Sequence, residues 1–358
     1  MSTSTLKRDP LFNKLMAQDN GHCLTILMAT HRTAPENAQD TIRLKDLARE
    51  AEHRLLELGS KRDMAPWLER LESVQQEIDH QHNWEGLGIF IGRDLTEVVR
   101  FPFPVEDRTV LDDTFATREL VRARLGSVDY HVLVMSRDKA HLYHATDDKL
   151  LGEVKGGFPF ENKYWTTNAD LVTTSKGQDN QARQYYLALH RALHEKVGDH
   201  ARVVVACTGE HHSPFLEAAD HSGIYVGHLD GNHEHEAGHE VVKRAWTIAY
   251  EDQKKRHASE LDMLNKTPVE RQATAIADIW RHVNQGRGSV LYVERDVRIP
   301  VRFEGEAVVK VEDATADGVV DDIVDDIIEV QLRHGGDVRI LPNGLLAGHK
   351  GIALVLRY

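Results

Sequence analysis

An apolar run from Cys23 to Ala29 predicts a strand that leads straight into Thr30-His31-Arg32. One loop later, Leu44, Leu47, Ala48, Ala51, Leu55 and Leu58 recur at helical intervals, which predicts a helix with one buried stripe. Asp40 stands in the N-cap position of that helix and Gly59 just past its end. Arg43 and Arg54 fall along one edge of the stripe, Lys45 and Arg49 along the other. A positive strip is therefore expected beside the histidine-bearing loop.

The next helix starts near Asp63, with Trp67, Leu68, Leu71, Val74 and Ile78 inward, and a hairpin of 87–91 and 96–101 follows around Gly92-Arg93-Asp94. Pro102 and Pro104 end that ribbon, and 117–125 reads as a short closing helix. A meander of 130–136, 140–146 and 150–154 turns at Arg137-Asp138 and Asp147-Asp148. Residues 155–180 lack periodicity and are expected to form a long loop. The chain resumes as a helix with Ala182, Tyr186, Leu189 and Leu193 inward, then a strand over 202–207 and a helix after Pro214. Meander, helix, strand, helix is the element order of an RNase H-like layer.

A long charged helix over 238–266 reads as a connector. Beyond it come a helix to Val283, a strand over 289–293, a ribbon over 297–311, a helix over 318–333 and strands over 338–341 and 352–356. In the 318–333 helix Val319, Val320, Ile323, Val324, Ile327 and Ile328 fill one face, acids fill the other, and Gly335-Gly336 stops it. The expected fold class is thus α/β, in three α/β domains. These are an N-terminal domain (1–126), an RNase H-like middle domain (127–237) with the loop 155–180, and, after the connector, an α/β/α domain (267–358).

A length of 358 residues with 41% hydrophobic content supports several cores. No stretch approaches the ~20 apolar residues of a membrane helix, and MSTSTLKRDPLFNKL lacks the apolar centre of a secretory signal. Cys23 and Cys207 each sit in a strand-like run, as reduced, buried thiols of a cytoplasmic protein would. The net charge of −13 argues against a simple nucleic-acid binder, and neither DNA nor a membrane is expected as a partner. Its distribution changes that picture. Glu304 to Glu329 holds ten acids against Lys310 alone, so that stretch carries −9 and leaves −4 for the remainder. A basic N-terminal face is compatible with this balance.

Candidate chemistry is sparse. His235-Glu236-Ala237-Gly238-His239 matches the zinc-hydrolase pattern HExxH, in which a helix places His235 and His239 on one face. Gly238 weakens that helix, and the segment reads as the polar entry to the connector. Two-metal nuclease chemistry needs converging carboxylates, and 130–135 of the first meander strand holds none. Gly177-Gln178 lies in the irregular stretch, Gly156-Gly157 precedes Phe158, and His31 and His211-His212 are isolated histidines. No phosphate loop, GxSxG elbow or CxxC pair occurs, and no cofactor is expected.

Several blocks together resemble the bacterial archaeo-eukaryotic release-factor-like family, within the eukaryotic release factor and Pelota superfamily. They are Ala29-Thr30-His31-Arg32, Arg43-Leu44-Lys45-Asp46-Leu47 with Glu50-Ala51-Glu52, Gly86-Leu87-Gly88-Ile89-Phe90, and 132–143. Arg244-Ala245-Trp246, Gly335-Gly336-Asp337-Val338 and the final Leu356-Arg357-Tyr358 continue the series. The resemblance implies a divergent N-terminal domain, an RNase H-like middle domain and a C-terminal domain like the kink-turn-binding ribosomal proteins. It implies a ribosome-associated factor acting in rescue or hibernation, with ribosomal RNA of the A-site region and a translation GTPase as partners. His31, Arg32, Arg43, Lys45, Arg49 and Arg54 become the expected RNA-binding residues. Release factors of the superfamily carry Gly-Gly-Gln on a mobile loop. Here Ser175-Lys176-Gly177-Gln178 has lysine in place of the first glycine, so peptidyl-tRNA hydrolysis through Gln178 is the alternative to a binding role.

Overall fold

The structure, a computed structural model, describes residues 9–18, 21–164, 175–220, 222–305, 307–313, 316 and 318–358, with 175–178 as backbone alone. The chain is mixed α/β and divides into two compact units, 1–126 with 263–358, and 127–262.

The first unit begins with α1 (Pro10–Met16), capped by the Asp9 carboxylate, which accepts from the Leu11 and Phe12 amides. Strand β1 (Cys23–Ala29) pairs antiparallel with β2 (Gly86–Ile91) and β4 (Arg108–Asp112), and β3 (Thr96–Phe101) completes the order β3-β2-β1-β4. Strand β4 has no counterpart among the sequence expectations, because its five residues are too polar to show a period. One face of this sheet packs on α2 (Asp40–Leu58) and α3 (Ala65–Glu77), through Leu44, Leu47, Ala51, Leu55, Trp67 and Leu71. The other face shares a core with α4 (Arg118–Leu125) and with the last segment of the chain. Both faces are covered, which is why β1 is buried from Cys23 to Met28, Thr25 included.

In that last segment, β12 (Gly288–Glu294) runs parallel to β16 (Asp337–Leu341) and antiparallel to β17 (Ile352–Leu356). The short β11 (Gln272–Ala273) lies beyond β17, giving the order β11-β17-β12-β16. Helices α8 (Ile276–Asn284) and α9 (Ile323–Arg333) pack here, with Ile279, Val283, Ile323, Ile327 and Ile328 in the shared core. A small sheet of β13 (Val301–Glu304), β14 (Ala307–Lys310) and β15 (Val319–Val320) stands beside it. Val319 and Val320 therefore belong to a strand, not to the helix expected from 318. The Asp322 carboxylate accepts from the Val324 amide and starts α9 there, and Gly318 adopts φ 72 ahead of it.

The second unit is three layers. Its meander, β5 (Asp129–Met135), β6 (Lys139–Thr146) and β7 (Lys149–Glu153), is joined by β9 (Val203–Cys207) parallel to β5 and β10 (Tyr225–Asp230) parallel to β9. The order β7-β6-β5-β9-β10 is the RNase H-like arrangement, three antiparallel strands extended by two parallel crossovers. The two-residue β8 (Phe160–Glu161) pairs with β6. Helices α5 (Ser175–Val197) and α6 (Gly209–Ala218) cover one face, and α7 (Gly238–Lys266) covers the other with Val241, Val242, Ala245 and Ala249. The first half of α7 is thus a core layer, beyond the connector role expected for 238–266. Strand β10 also went unforeseen, since Gly227 and His228 interrupt its apolar pattern.

Candidate functional site

The turn after β1 is held by hydrogen bonds. The Thr30 amide donates to the Glu85 carbonyl at 3.0 Å and its hydroxyl to the Trp84 carbonyl at 3.1 Å. The His31 amide and Nδ1 each reach one Asp40 carboxylate oxygen at 2.9 Å. Asp40 is fully buried, and it lies inside α2, not at the N-cap, a position Gln39 occupies. The residue read as a helix cap is instead the clasp of the turn. Gly59 is likewise extended, with φ −174, and forms no left-handed cap. Arg32 lies 5.9 Å from the Trp84 ring centroid and 3.9 Å from a Glu85 carboxylate oxygen. Asp40→Ala leaves two donors of His31 without their acceptor, so it is expected to cost about 2 kcal/mol, read as a lower thermal midpoint.

The two edges of α2 part company. Arg43 Nη1 donates to the Ala29 carbonyl at 3.2 Å and pairs with Asp107 at 3.4 Å. Arg54 Nη1 donates to the Thr109 carbonyl at 2.7 Å and pairs with Glu50 at 2.6 Å. These two arginines tie the helix to the sheet. The other edge is open. Lys45 and Arg49 line a cleft of about 470 Å³ between α2 and α3, with Lys61, Gln75 and the acids Glu52, Glu69 and Glu72. Arg49 pairs with exposed Asp46 at 3.0 Å, while Lys45 and Lys61 have no carboxylate partner among the described residues. Sequence reading missed Lys61, although Lys61-Arg62 just past the helix is a visible basic pair.

The remaining candidates are differently placed. His235 lies in the turn before α7 and His239 in its first turn, so no helix sets them at i and i+4 on a shared face. Glu236 is engaged by Arg244, and its Oε1 meets Nδ1 of the buried His233 at 3.0 Å. Gly238 packs on the Tyr143 ring, where a Cβ would come within 2.7 Å of a ring carbon. Among the described residues, no group of three or more His, Cys, Asp or Glu side chains is arranged to hold a metal. His211 Nδ1 meets the Tyr186 hydroxyl at 2.9 Å, and the His212 and His228 rings stack at 3.8 Å. Asp129, at the start of β5, is bonded by His144 Nε2 at 2.6 Å, an interaction that raises the histidine's pKa. Burial pushes both thiols, Cys23 and Cys207, up to about 12, which leaves them protonated and unreactive.

The middle unit carries the decisive likeness. Residues 129–287 match the family model of bacterial archaeo-eukaryotic release factor family 3. Over this segment the chain is similar to that family. The match takes in the whole parallel and antiparallel sheet of the middle unit, the helices around it, and α7 and α8 beyond. Within the matched segment, Gly177 and Gln178 fall in the first turn of α5, which begins at Ser175 instead of after Asn180. Their side chains lie outside the described residues, as do 165–174 of the expected loop. Gly156 and Gly157 both take positive φ, 74 and 121, and Phe158 is buried, so that glycine pair is a turn.

Solved structures give looser likenesses. A ribosome-bound archaeal Pelota with ABCE1 aligns at 11% identity and TM-score 0.42, over 98% of this chain and 94% of that one. Dom34 of S. cerevisiae aligns at 13% and 0.40, over 76% and 74%. The archaeal translation termination factor aRF1 aligns at 15% and 0.25, over 100% and 99%. Superpositions this loose transfer no residue roles. No match is found among curated proteins. No helix of the described residues is long and apolar enough to cross a membrane.

Proposed function

We propose that this protein is a ribosome-associated translation factor of the release-factor and Pelota type, which occupies the A-site region in rescue or hibernation. The observation that carries this reading is the family match over 129–287. The open edge of α2 supports a contact with ribosomal RNA. Lys45, Arg49 and Lys61 line a cleft, and His31 with Arg32 borders the same helix from a turn fixed by Asp40. Arg43 and Arg54 act by holding that helix in place. Peptidyl-tRNA hydrolysis is not part of the proposal, because Lys176 replaces the first glycine of a Gly-Gly-Gln loop. Neither is zinc hydrolysis, since Glu236 is committed to Arg244. The cytoplasm as its location and a partner translation protein, such as a GTPase, belong to the same reading.

Pelleting with ribosomes through a sucrose cushion tests it. The full chain is expected to co-sediment at low salt and to be released as salt rises. Lys45→Glu combined with Lys61→Glu is expected to lower the bound fraction about tenfold. Absence of co-sedimentation at low salt overturns the ribosome assignment, and unchanged binding by the double variant overturns the cleft's part in it.

A further inference from the structure

Cationic side chains far apart in sequence meet at the end of the C-terminal sheet where β12 and β16 begin and β17 finishes, and we infer that this end binds the phosphate backbone of single-stranded RNA. Arg271 Nη2 donates to the carbonyls of Leu356 at 2.9 Å and Arg357 at 3.2 Å. Arg357 Nη2 donates to the His334 carbonyl at 2.9 Å, and its amide to the Arg287 carbonyl at 3.0 Å. Arg287 reaches an oxygen of the α-carboxylate of the last residue, Tyr358, at 3.5 Å and lies 5.6 Å from the centroid of the Tyr358 ring. The partners of Arg271 and Arg357 are neutral main-chain carbonyls. Among the described residues no carboxylate side chain pairs with any of these three guanidiniums; Asp278 pairs with Arg281, Glu329 with Arg333, and Asp337, at the start of β16, with Arg339.

Two further observations concern the surroundings of Arg287. The His282 imidazole is held below its ordinary pKa, first by burial and then by Arg287 and Arg281. Arg287 Nε and His282 Nδ1 are buried without a hydrogen-bond partner. A carbonyl-anchored guanidinium keeps its full charge and has further N–H donors free, in a planar fork that suits a phosphate. Beside them Tyr358 is 75% exposed. An aromatic face next to fixed cations suits a polynucleotide, whose base stacks while its flanking phosphates meet the arginines. An acidic peptide has no use for the ring, so the geometry favours RNA. This assignment does not depend on ribosome binding, because it concerns residues outside the α2 cleft and is read on free RNA.

Fluorescence anisotropy with a labelled oligouridylate of about 12 nucleotides tests it on the full chain. Binding is expected to weaken roughly twentyfold for a fourfold rise in salt, as three phosphate contacts on a single strand require. Arg287→Gln with Arg357→Gln is expected to weaken it about tenfold or more, and Tyr358→Ala about fivefold. Tyr358→Ala changes an exposed side chain at the chain's last position and keeps the test open if the arginine variant folds poorly. Wild-type affinity in a folded variant overturns the assignment. So does displacement of the RNA by polyglutamate at equal charge, which would place an acidic protein segment here instead.

Discussion

Arg118→Ala is expected to destabilise the first unit by about 3–5 kcal/mol, the largest effect of any single substitution considered for this chain. Arg118 and Asp322 form an ion pair with side chains only 4% and 2% exposed. The guanidinium also donates to the carbonyls of Arg295, at 3.3 Å, and Val297. Asp322 in turn accepts from the amides of Ile299 and Val324, so one carboxylate both receives the arginine and starts α9. Removing the arginine leaves a buried charge with its strongest partner gone. Burial already raises the Asp322 pKa, and Arg118 is the main influence opposing that rise. Urea unfolding should show a lower midpoint for the first unit, while amide exchange in β5 and β9 stays as in the wild type. Arg118→Met with Asp322→Asn should cost less than Arg118→Ala alone, since asparagine keeps the cap and no charge is stranded. A loss below about 1 kcal/mol for Arg118→Ala would show that the pair is spectator chemistry.

Asp326→Asn is expected to stabilise the protein by about 2 kcal/mol at pH 8 and to have little effect near pH 4. Burial pushes the Asp326 carboxyl up from 3.8 to about 7, and the like charges of Asp112, Glu329, Asp322 and Asp321 add to the rise. Its neighbour Asp325 is also raised well above the ordinary carboxyl value, mainly by burial, and one of its oxygens is buried without a partner. Arg108, which pairs with Asp321 at 3.5 Å, and Arg118 are the cations opposing that rise. A carboxyl with a raised folded-state pKa holds its proton more tightly folded than unfolded. Its contribution to stability is therefore most favourable below the unfolded-state value and falls as pH rises toward about 7. Melting temperatures across that range check the sign, and a variant stabilised equally at both ends would refute it.

The elements with a strong period were legible from sequence alone. Helices α2 and α3 declare themselves through a buried stripe at regular spacing, and the β2–β3 hairpin and the β5–β6–β7 meander through short apolar runs punctuated by turn residues. Strands β4 and β10 did not. Arg108 and Asp112 bound one, Gly227 and His228 break the other, and both exist because a neighbouring strand supplies their backbone partners. The helix expected from 318 failed at its start for a related reason. Val319 and Val320 fit either period, and pairing with β13 made them a strand.

The candidate sites divide along the same line. Sequence placed Lys45 and Arg49 opposite Arg43 and Arg54 on α2, since position on a helix follows from spacing. Only the fold decided that one edge is tied to the carbonyls of Ala29 and Thr109 while the other opens on a cleft with Lys61. Asp40 changed from a helix cap to the clasp of His31 for the same reason. Sequence by itself determined the periodic elements, the release-factor resemblance and the concentration of acid between Glu304 and Glu329. Tertiary structure alone brought Arg271, Arg287 and Arg357 to one end of a sheet and buried Arg118 against Asp322. Periodicity is a property of neighbours along the chain, whereas charge pairing and convergence depend on distances that only the folded path sets.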